Sequence, residues 1–417
     1  MQGNINDKYG PTFCIKPFTE ICNTAKGSMK ICCQSHKNLI STEEISTYKE
    51  AFFNHHKFKN LRNQLLKGNK VDLCRNCYER EETTGSSPRI EYNNRLLKED
   101  RKSFEYIRDT GQPLVKSLDL KMGNKCNLAC VMCDPTSSSL VGKERQKYVP
   151  PHELDMGIGN DSQIQVDFSQ DEFERMKEIA HTIVAIKSTG GEPMLLPGYK
   201  DLIQFLVDKG YAKNIRFTTV TNGTVDARPM LHLMNEFKMF KLQWSIDGID
   251  DIYNFVRYPG NWNSVTKKHK RVMDAIRDEN YNNVKTGCSV AVSVYNINQI
   301  SKIFRYAVYE LGITGSLDYN IVREPEHMTP GLAPTHVLEQ SIEEFDNEIK
   351  VYLQNNEDQD LLSSTDINFT DLIRSTINTA NQDRESLIQK LHTTNNYFRE
   401  VRNMDAYEYV KYLKDIK

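Results

Sequence analysis

The chain has 417 residues, enough for two or three domains, and its 54 basic and 56 acidic residues give a formal net charge of −2. This balance gives no global electrostatic case for nucleic acid or an anionic membrane as a partner. No stretch is long and apolar enough to span a bilayer, and the first residues do not read as a signal peptide. Ten cysteines in such a chain favour metal binding over disulfides, so we expect a cytoplasmic protein.

The N-terminal region combines a hairpin with a helix. Residues 18–23 and 29–33 are predicted strands around a turn that contains glycine, and a long polar helix is predicted over residues 47–67. Strand alternation places Cys32 and Cys33 on opposite faces, so that only one of them faces a shared site. The region holds six cysteines in all, which are Cys14, Cys22, Cys32, Cys33, Cys74 and Cys77.

A second cysteine group follows a predicted strand over residues 114–121. Cys126, Cys130 and Cys133 have the spacing C-x3-C-x2-C. Three thiolates in one loop can hold three irons of a cubic iron–sulfur cluster, which leaves the fourth iron open to a small molecule. The alternative is half of a zinc site that a distant ligand completes. A loop at the carboxyl end of a parallel strand is where such folds place active sites.

Strands continue to alternate with amphipathic segments after this loop. Ser169 and Glu172 form a possible capping box, with Phe168 and Phe173 as its hydrophobic staple, which indicates the start of one helix. This alternation indicates parallel β/α units, and six units make an incomplete barrel. The further strands are predicted over residues 183–189, 215–220, 242–248, 290–294 and 317–322. A cysteine inside the later strands, Cys288, is expected in the core.

From about residue 115 to residue 326, roughly half of the chain, the ordered motifs resemble the radical S-adenosylmethionine (SAM) enzyme core. In that family the C-x3-C-x2-C cysteines hold a [4Fe-4S] cluster, and SAM chelates the fourth iron through its amino and carboxylate groups. The resemblance implies an α/β fold with a partial (β/α)6 TIM-like barrel. It assigns Cys126, Cys130 and Cys133 as the cluster ligands and as the catalytic residues.

The resemblance also implies a SAM pocket at successive strand ends. The glycines of the Gly-Gly-Glu-Pro run let backbone approach the ligand, and Glu192 or nearby carbonyls meet the methionine ammonium. Ser245 would contact the ribose, and Arg257 would neutralise the SAM carboxylate. The expected pocket residues are Met132, Gly190, Gly191, Glu192, Pro193, Asn222, Ser245, Asp247 and Arg257. Taken singly, each also fits an ordinary turn, packing or surface role.

The N-terminal cysteines resemble the twitch or SPASM auxiliary-cluster module of radical SAM enzymes, here placed before the core. The pattern C-x12-G-x4-C, then C-x2-C, implies that a second [4Fe-4S] cluster is held by Cys14, Cys32, Cys74 and Cys77. A four-cysteine zinc site has the same geometry and stays open as the alternative. Cys22 and Cys33 are expected to be small buried residues.

Three parts of the chain are predicted. Residues 1–88 form the auxiliary module, 89–333 the radical SAM core and 334–417 a helical extension. A linker is expected over residues 83–88, and residues 157–162 resemble a loop over the substrate opening. Aromatic residues near the end of the chain are expected to pack on the core. They are Tyr397, Phe398, Tyr407, Tyr409 and Tyr412.

The implied activity is reductive SAM cleavage to a 5′-deoxyadenosyl radical, which abstracts hydrogen from a substrate. A peptide or protein side chain is the favoured substrate, and a nucleotide, sugar or small metabolite is the alternative. The resemblance further implies a flavodoxin- or ferredoxin-type electron donor, with the auxiliary cluster aiding electron transfer or substrate positioning. The alternative of another class is a non-catalytic zinc-binding scaffold.

Overall fold

In the computed structural model, residues 10–148, 174, 176–355 and 369–416 are described. The predicted capping box with its staple (Phe168, Ser169, Glu172, Phe173) and the predicted loop over residues 157–162 lie outside these ranges. Within them, no helix combines the length and apolar character needed to cross a membrane. All ten cysteines are free thiols.

One eight-stranded sheet organises the chain. Its strands lie in the order β2-β1-β3-β4-β5-β6-β7-β8, and all neighbours are parallel except the antiparallel pair β1 and β2. The strands are β1 (Glu20–Asn23), β2 (Met29–Lys30), β3 (Ser117–Lys121), β4 (Ala185–Thr189), β5 (Arg216–Thr221), β6 (Met239–Ser245), β7 (Val284–Val292) and β8 (Leu317–Ile321).

Helices precede, separate and follow the strands. In the described ranges they are α1 (Lys16–Thr19), α2 (Tyr48–Asn54), α3 (His56–Leu66), α4 (Arg75–Thr84), α5 (Pro88–Glu99), α6 (Arg101–Thr110), α7 (Ser139–Lys147), α8 (Pro197–Asp208), α9 (Leu231–Met234), α10 (Asp250–Val256), α11 (Trp262–Asp278), α12 (Ile300–Arg305), α13 (Thr335–Asn355), α14 (Phe369–Asn381), α15 (Arg384–Arg402) and α16 (Ala406–Tyr409). A π-helical turn, Tyr306–Leu311, continues α12.

The core lies between the sheet and these helices. Leu118, Ile186, Phe217 and Phe240 are register partners across four neighbouring strands, and all four are buried. Phe217 and Phe240 stack with ring centroids 4.9 Å apart. Because side chains alternate along a strand, the residues between them face the other side of the sheet, which is the barrel interior.

The predicted partial barrel with six parallel β/α units is confirmed, and two of its strands begin well before their predicted starts. The strand predicted over residues 242–248 spans Met239–Ser245, and the one predicted over 290–294 spans Val284–Val292. In both strands the early residues alternate apolar with polar, as with Lys241 facing the interior. An apolar run alone therefore marks only part of each strand.

The N-terminal region is joined directly to the barrel sheet, because β1 pairs in parallel with β3. The predicted hairpin is present but short, and α1 takes its first residues. The long helix predicted over residues 47–67 is wrong: α2 and α3 meet at His55, whose ψ of 132° is extended. The segment predicted as a linker contains the end of α4, a left-handed Gly85 and the start of α5.

The predicted helical C-terminal extension is confirmed, and its aromatic residues pack as expected. Tyr397, Phe398 and Tyr412 are buried. Tyr409 stacks on Phe255, in the last turn of α10, with ring centroids 5.1 Å apart. Cys288 is fully buried inside β7, which is the core position predicted for it.

Candidate active site

Four segments meet at the carboxyl edge of the sheet. The cysteine loop follows β3, the Gly-Gly-Glu-Pro segment follows β4, Asn222 follows β5, and Ser245 ends β6. The Glu192 amide donates a hydrogen bond to the Lys125 carbonyl (2.8 Å), beside Cys126. The side-chain amide of Asn222 lies 3.7 Å from the Cys126 sulfur and donates to it. Three strand ends thus converge on the first cysteine.

The cysteine loop keeps its three thiols close together. A hydrogen bond to Cys133 lowers the pKa of Cys130 to about 7, although burial opposes this, and the same bond raises the pKa of Cys133. Burial raises the pKa of Cys126 to about 11. Among the described residues, no three His, Cys, Asp or Glu side chains form a ready metal-binding group. The donor chemistry fits an iron–sulfur cluster, since three neighbouring thiols become three thiolate ligands.

The two glycines after β4 allow the loops to touch. Gly190 and Gly191 have φ values of +82° and +52°. A Cβ on Gly190 would lie 2.9 Å from the Gly123 carbonyl oxygen, and one on Gly191 would lie 2.4 Å from that of Lys125. The close backbone approach expected at these glycines is therefore made to the cysteine loop, and any larger residue would push that loop away.

Glu192 is enclosed within the protein, with no exposed surface. Its carboxylate accepts from the Thr221 hydroxyl (2.8 Å), the Asn222 amide (2.7 Å) and the Met194 amide (3.2 Å). Burial raises the pKa of Glu192, and these hydrogen bonds work against that rise. Through these hydrogen bonds, Glu192 links the end of β4 to the end of β5.

Asn222 lies over the cysteine loop. Its side-chain amide also donates to the Asn127 Oδ1 (3.0 Å), and its own Oδ1 accepts from the Thr224 amide (2.9 Å). An N–H group pointed at a cysteine sulfur stabilises the thiolate form and, in an iron–sulfur site, tunes the cluster potential.

A buried ion pair joins Asp247 and Arg257. The Arg257 guanidinium donates to the Asp247 Oδ2, and the Asp247 Oδ1 accepts from the Ala291 amide (2.7 Å). The Nε–H of Arg257 is buried without a hydrogen-bond partner in the described part of the chain. An unused guanidinium donor beside the cysteines fits a carboxylate ligand such as the SAM carboxylate.

The other predicted pocket residues lie in the same region. Met132 is half-buried between Cys130 and Cys133 and packs against the core. Pro193 is buried and begins a short 3-10 turn. Ser245 is half-buried at the end of β6, opposite Ser289 of β7.

The N-terminal cysteines form a second, separate group. Cys14, Cys32, Cys74 and Cys77 are all buried. Burial raises the pKa of Cys14, and nearby Cys74 and Cys77 raise it further. Burial also raises the pKa of Cys32, with further contributions from Cys33, Cys14, Glu20 and Cys77. Cys33 is half-buried rather than fully buried as expected, and its sulfur lies 3.8 Å from the Tyr92 hydroxyl.

Several contributors to the site carry no motif signal in the sequence. The Ser139 hydroxyl accepts from the Cys126 amide (3.1 Å), and the Ser138 hydroxyl donates to the Leu128 carbonyl (2.6 Å), which fixes the loop shape. Arg402 of α15 forms a buried ion pair with Glu144 of α7, the helix that follows the cysteine loop. Ser138 caps the start of α7, and neither it nor the distant Arg402 belongs to a motif.

Residues 120–307 match the family model of the Radical SAM superfamily. The segment that holds Cys126, Cys130, Cys133 and the convergent strand ends is therefore a radical SAM domain. This match confirms the predicted radical SAM core over these residues, and a domain of this class implies SAM and a [4Fe-4S] cluster as cofactors.

The chain is also similar to individual proteins. An uncharacterized protein of Methanocaldococcus jannaschii is 25% identical over 236 residues, which cover 55% of this chain and 69% of that protein. Streptococcus suis SuiB bound to precursor peptide SuiA is 12% identical, with a TM-score of 0.39, over 72% of this chain and 64% of SuiB. The match thus spans less than two thirds of the SuiB structure.

A further solved structure is the radical S-adenosylmethionine methyltransferase TsrM from Kitasatospora setae, with cobalamin and a [4Fe-4S] cluster bound. It is 13% identical, with a TM-score of 0.32, over 53% of this chain and 36% of TsrM. At these TM-scores, neither solved structure bears on the substrate or reaction of this chain.

Proposed function

We propose that this chain cleaves SAM reductively and uses the resulting radical to take a hydrogen atom from a substrate, with a peptide or protein side chain favoured. The observation that carries this proposal is the convergence of three successive strand ends on Cys126 within a radical SAM domain. When bound, a [4Fe-4S] cluster with SAM supplies the electron transfer and the 5′-deoxyadenosyl radical.

Different residues of the site would bind the cluster, bind SAM and hold the loops in position. Cys126, Cys130 and Cys133 would hold the cluster, and the free Nε–H of Arg257 would bind the SAM carboxylate. Ser245 would contact the ribose from the end of β6. Glu192 would act through the loops it ties together, which makes it a positioning residue rather than a catalytic residue.

We further propose that Cys14, Cys32, Cys74 and Cys77 hold an auxiliary [4Fe-4S] cluster, in a module over residues 1–88. The support is their shared burial and mutual electrostatic effect. Such a cluster would pass an electron or position the substrate. A flavodoxin- or ferredoxin-type protein would supply the first electron. A reducing cytoplasm suits the ten free thiols.

Anaerobic reconstitution with iron and sulfide tests both proposals. We expect about eight irons per chain, and 5′-deoxyadenosine after dithionite and SAM are added. Cys126→Ala should abolish SAM cleavage, whereas Cys288→Ala, a core cysteine in β7, should keep it. Bound zinc without SAM cleavage would instead assign the chain to the zinc-binding scaffolds. Full SAM cleavage by the Cys126→Ala variant would contradict the proposed ligand role.

A further inference from the structure

Helix α15 brings a guanidinium group to the cysteine loop from outside the segment that matches the family model. A small cavity of about 20 Å³ has a lining that includes Val131 and Cys133 of the loop and Tyr397, Phe398 and Arg402 of α15. The family model matches residues 120–307, so the whole of α15 lies beyond it. A cationic side chain of the C-terminal extension therefore shares a cavity with one of the proposed cluster ligands.

Contacts on several sides hold the Arg402 guanidinium in place. Its Nε and Nη2 atoms donate to the Glu144 carboxylate at 2.7–3.1 Å. The ring centroids of Phe398 and Tyr258 lie 4.6 and 5.1 Å from the guanidinium carbon. Arg402 is only 8% exposed. Because the guanidinium is a rigid planar fork, these contacts also fix the direction of its remaining N–H groups.

One donor atom of Arg402 is left without a partner. Its Nη1 is buried and has no hydrogen-bond partner in the part of the chain that the structure describes. In a planar guanidinium, Nη1 lies on the edge opposite the one that Nε and Nη2 form, so it points away from Glu144. A buried charged donor without an acceptor is costly, which points to an acceptor outside the chain itself.

The cysteine loop is held by the segment that packs on this guanidinium. The Ala129 amide donates to the Tyr258 carbonyl (2.5 Å), and the Val131 amide donates to the Val256 carbonyl (2.9 Å). These two hydrogen bonds flank Cys130 on both sides, while the Tyr258 ring packs on the guanidinium. Residues 256–258 therefore position both Cys130 and the unpartnered donor.

Negatively charged sulfur is an acceptor that suits this donor. The hydrogen bond to Cys133 has the largest effect in lowering the pKa of Cys130, and the positive charges of Arg257 and Arg402 lower it further. Thiolate and sulfide sulfurs of a bound cluster would accept a charge-assisted hydrogen bond in the same way. A hydrogen bond to cluster sulfur favours the reduced, more negative state and therefore raises the reduction potential.

We propose that the Nη1–H of Arg402 donates a hydrogen bond to the sulfur of the cluster held by Cys126, Cys130 and Cys133, and thereby raises the reduction potential of that cluster. The inference rests on the proposed function, because it requires a cluster at these cysteines. It gives the C-terminal extension a part in setting the electron affinity of a domain that it follows in sequence.

The test is an EPR-monitored redox titration of the reconstituted full-length protein. Because a second cluster is also proposed, the signal followed is the one that changes when SAM is added. Arg402→Met combined with Glu144→Gln removes the donor together with its counter-ion, so that the net charge beside the loop is kept. We expect the ratio of reduced to oxidised cluster at a fixed potential to fall about tenfold, the loss typical of one charge-assisted hydrogen bond, or about 59 mV for one electron.

Glu144→Gln alone distinguishes a direct hydrogen bond from an effect of loop packing. This variant keeps the Nη1–H of Arg402 and removes one negative charge, so the ratio of reduced to oxidised cluster should rise. General loosening of the loop would instead shift both variants in the same direction. Arg277→Met combined with Asp274→Asn repeats the double change at an exposed ion pair and should leave the ratio unchanged.

Two outcomes would overturn the role of Arg402: an unchanged ratio in the Arg402→Met, Glu144→Gln variant, which would leave water as the partner of Nη1, or an equal fall in Glu144→Gln alone. Iron uptake and SAM cleavage are measured on the same preparations. SAM cleavage with an unchanged ratio removes only the role of Arg402. A tenfold fall without SAM cleavage in the wild type keeps that role and removes the proposed function. The absence of iron at the cysteine loop would overturn both.

Discussion

Two glycines with a left-handed backbone conformation differ in whether an added Cβ would clash with neighbouring atoms. Gly191 and Gly210 both have positive φ, +52° and +69°. A Cβ on Gly191 would lie 2.4 Å from the Lys125 carbonyl oxygen, whereas a Cβ on Gly210 would meet nothing within 4 Å. The pair therefore separates the cost of an unfavourable backbone conformation from the cost of a clash with the cysteine loop.

We expect Gly210→Ala to lower the free energy of unfolding by about 1–2 kcal/mol, from left-handed backbone alone. Gly191→Ala should lose a further 1–3 kcal/mol or so through the clash, and should also bind less iron at the cysteine loop. Urea unfolding and iron analysis measure the two effects. Equal losses of unfolding free energy in the two variants would show that the cysteine loop can move aside without strain.

Arg257 offers a test of SAM binding that keeps its positive charge. Arg257→Lys removes the free Nε–H, while an ammonium can still reach Asp247. We expect the affinity for SAM to fall about tenfold, the loss typical of one charge-assisted hydrogen bond. Equilibrium binding of SAM to the reconstituted protein gives the value, and Arg228→Lys, at an exposed ion pair, is the control. An unchanged affinity would mean that the free donor serves another group.

His269 makes the stability of the protein depend on pH. It is buried, stacks on Trp244 with ring centroids 4.4 Å apart, and neither ring nitrogen has a partner in the described ranges. Burial lowers the pKa of His269 to about 3, with help from Arg257 and Lys268. The imidazole is therefore neutral in the folded protein, whereas an unfolded chain protonates it near pH 6.5.

Because the unfolded state binds the extra proton, stability is complete above about pH 6.5 and falls as the pH drops towards 3. Between pH 7 and pH 5 we expect His269 to account for about 2 kcal/mol of lost unfolding free energy. Urea unfolding at both pH values measures this loss, and His269→Gln should remove it. The same pH dependence in wild type and variant would refute the role of His269.

An ion pair joins helix α15 of the C-terminal extension to α7, the helix that follows the cysteine loop. Arg402 contacts both carboxylate oxygens of Glu144 (2.7–3.1 Å), and Tyr397 also donates to Glu144. Both charged side chains are largely buried. Breaking a buried pair leaves an uncompensated charge, which costs far more than the loss of an exposed pair.

We expect Arg402→Met to lower the free energy of unfolding by about 3 kcal/mol, because Glu144 loses its counter-ion. Arg277→Met, at the exposed pair with Asp274, should change it by less than about 1 kcal/mol. Denaturant unfolding compares the two variants. Adding Glu144→Gln to Arg402→Met should restore part of the loss, and no recovery would argue against a direct charge interaction.

Whether a secondary-structure element could be predicted from the sequence depended on its pattern of apolar and polar residues. The strands β3 to β8 were predictable because each carries an apolar run at the helix-facing positions. The starts of β6 and β7 were missed because polar residues alternate there towards the barrel interior. The break at His55 has no glycine or proline to signal it, since His55 itself caps α3 through its ring nitrogen.

For the candidate site, too, only features with a local sequence pattern could be predicted. Cysteine spacing is local, so Cys126, Cys130 and Cys133 could be named from the sequence. The ion pair of Arg402 with Glu144, 258 residues apart, depends on tertiary packing, and no local pattern predicts it. The hydrogen bonds of Glu192 could not be predicted from the sequence either, because its partners follow a different strand.

Iron content tests whether the whole molecule holds two clusters. Cys74→Ala should lower bound iron from about eight to about four per chain, since one cluster of four irons is lost. Some SAM cleavage should remain, uncoupled from substrate. Cys22→Ala is the control, a buried cysteine outside the proposed ligand set. An iron count that does not change in Cys74→Ala would remove the auxiliary cluster.

The parallel pairing of β1 with β3 has a consequence during synthesis. Glu20 and Ser117 touch across this pairing but are 97 positions apart in the chain. A ribosome that adds about 5–20 residues per second therefore delivers β3 some 5–20 s after β1. During that interval β1 has only the short strand β2 as a partner, and its neighbouring thiols are open to oxidation. We therefore expect reducing conditions during synthesis to matter most for the N-terminal cysteines, which wait longest for the sheet that buries them.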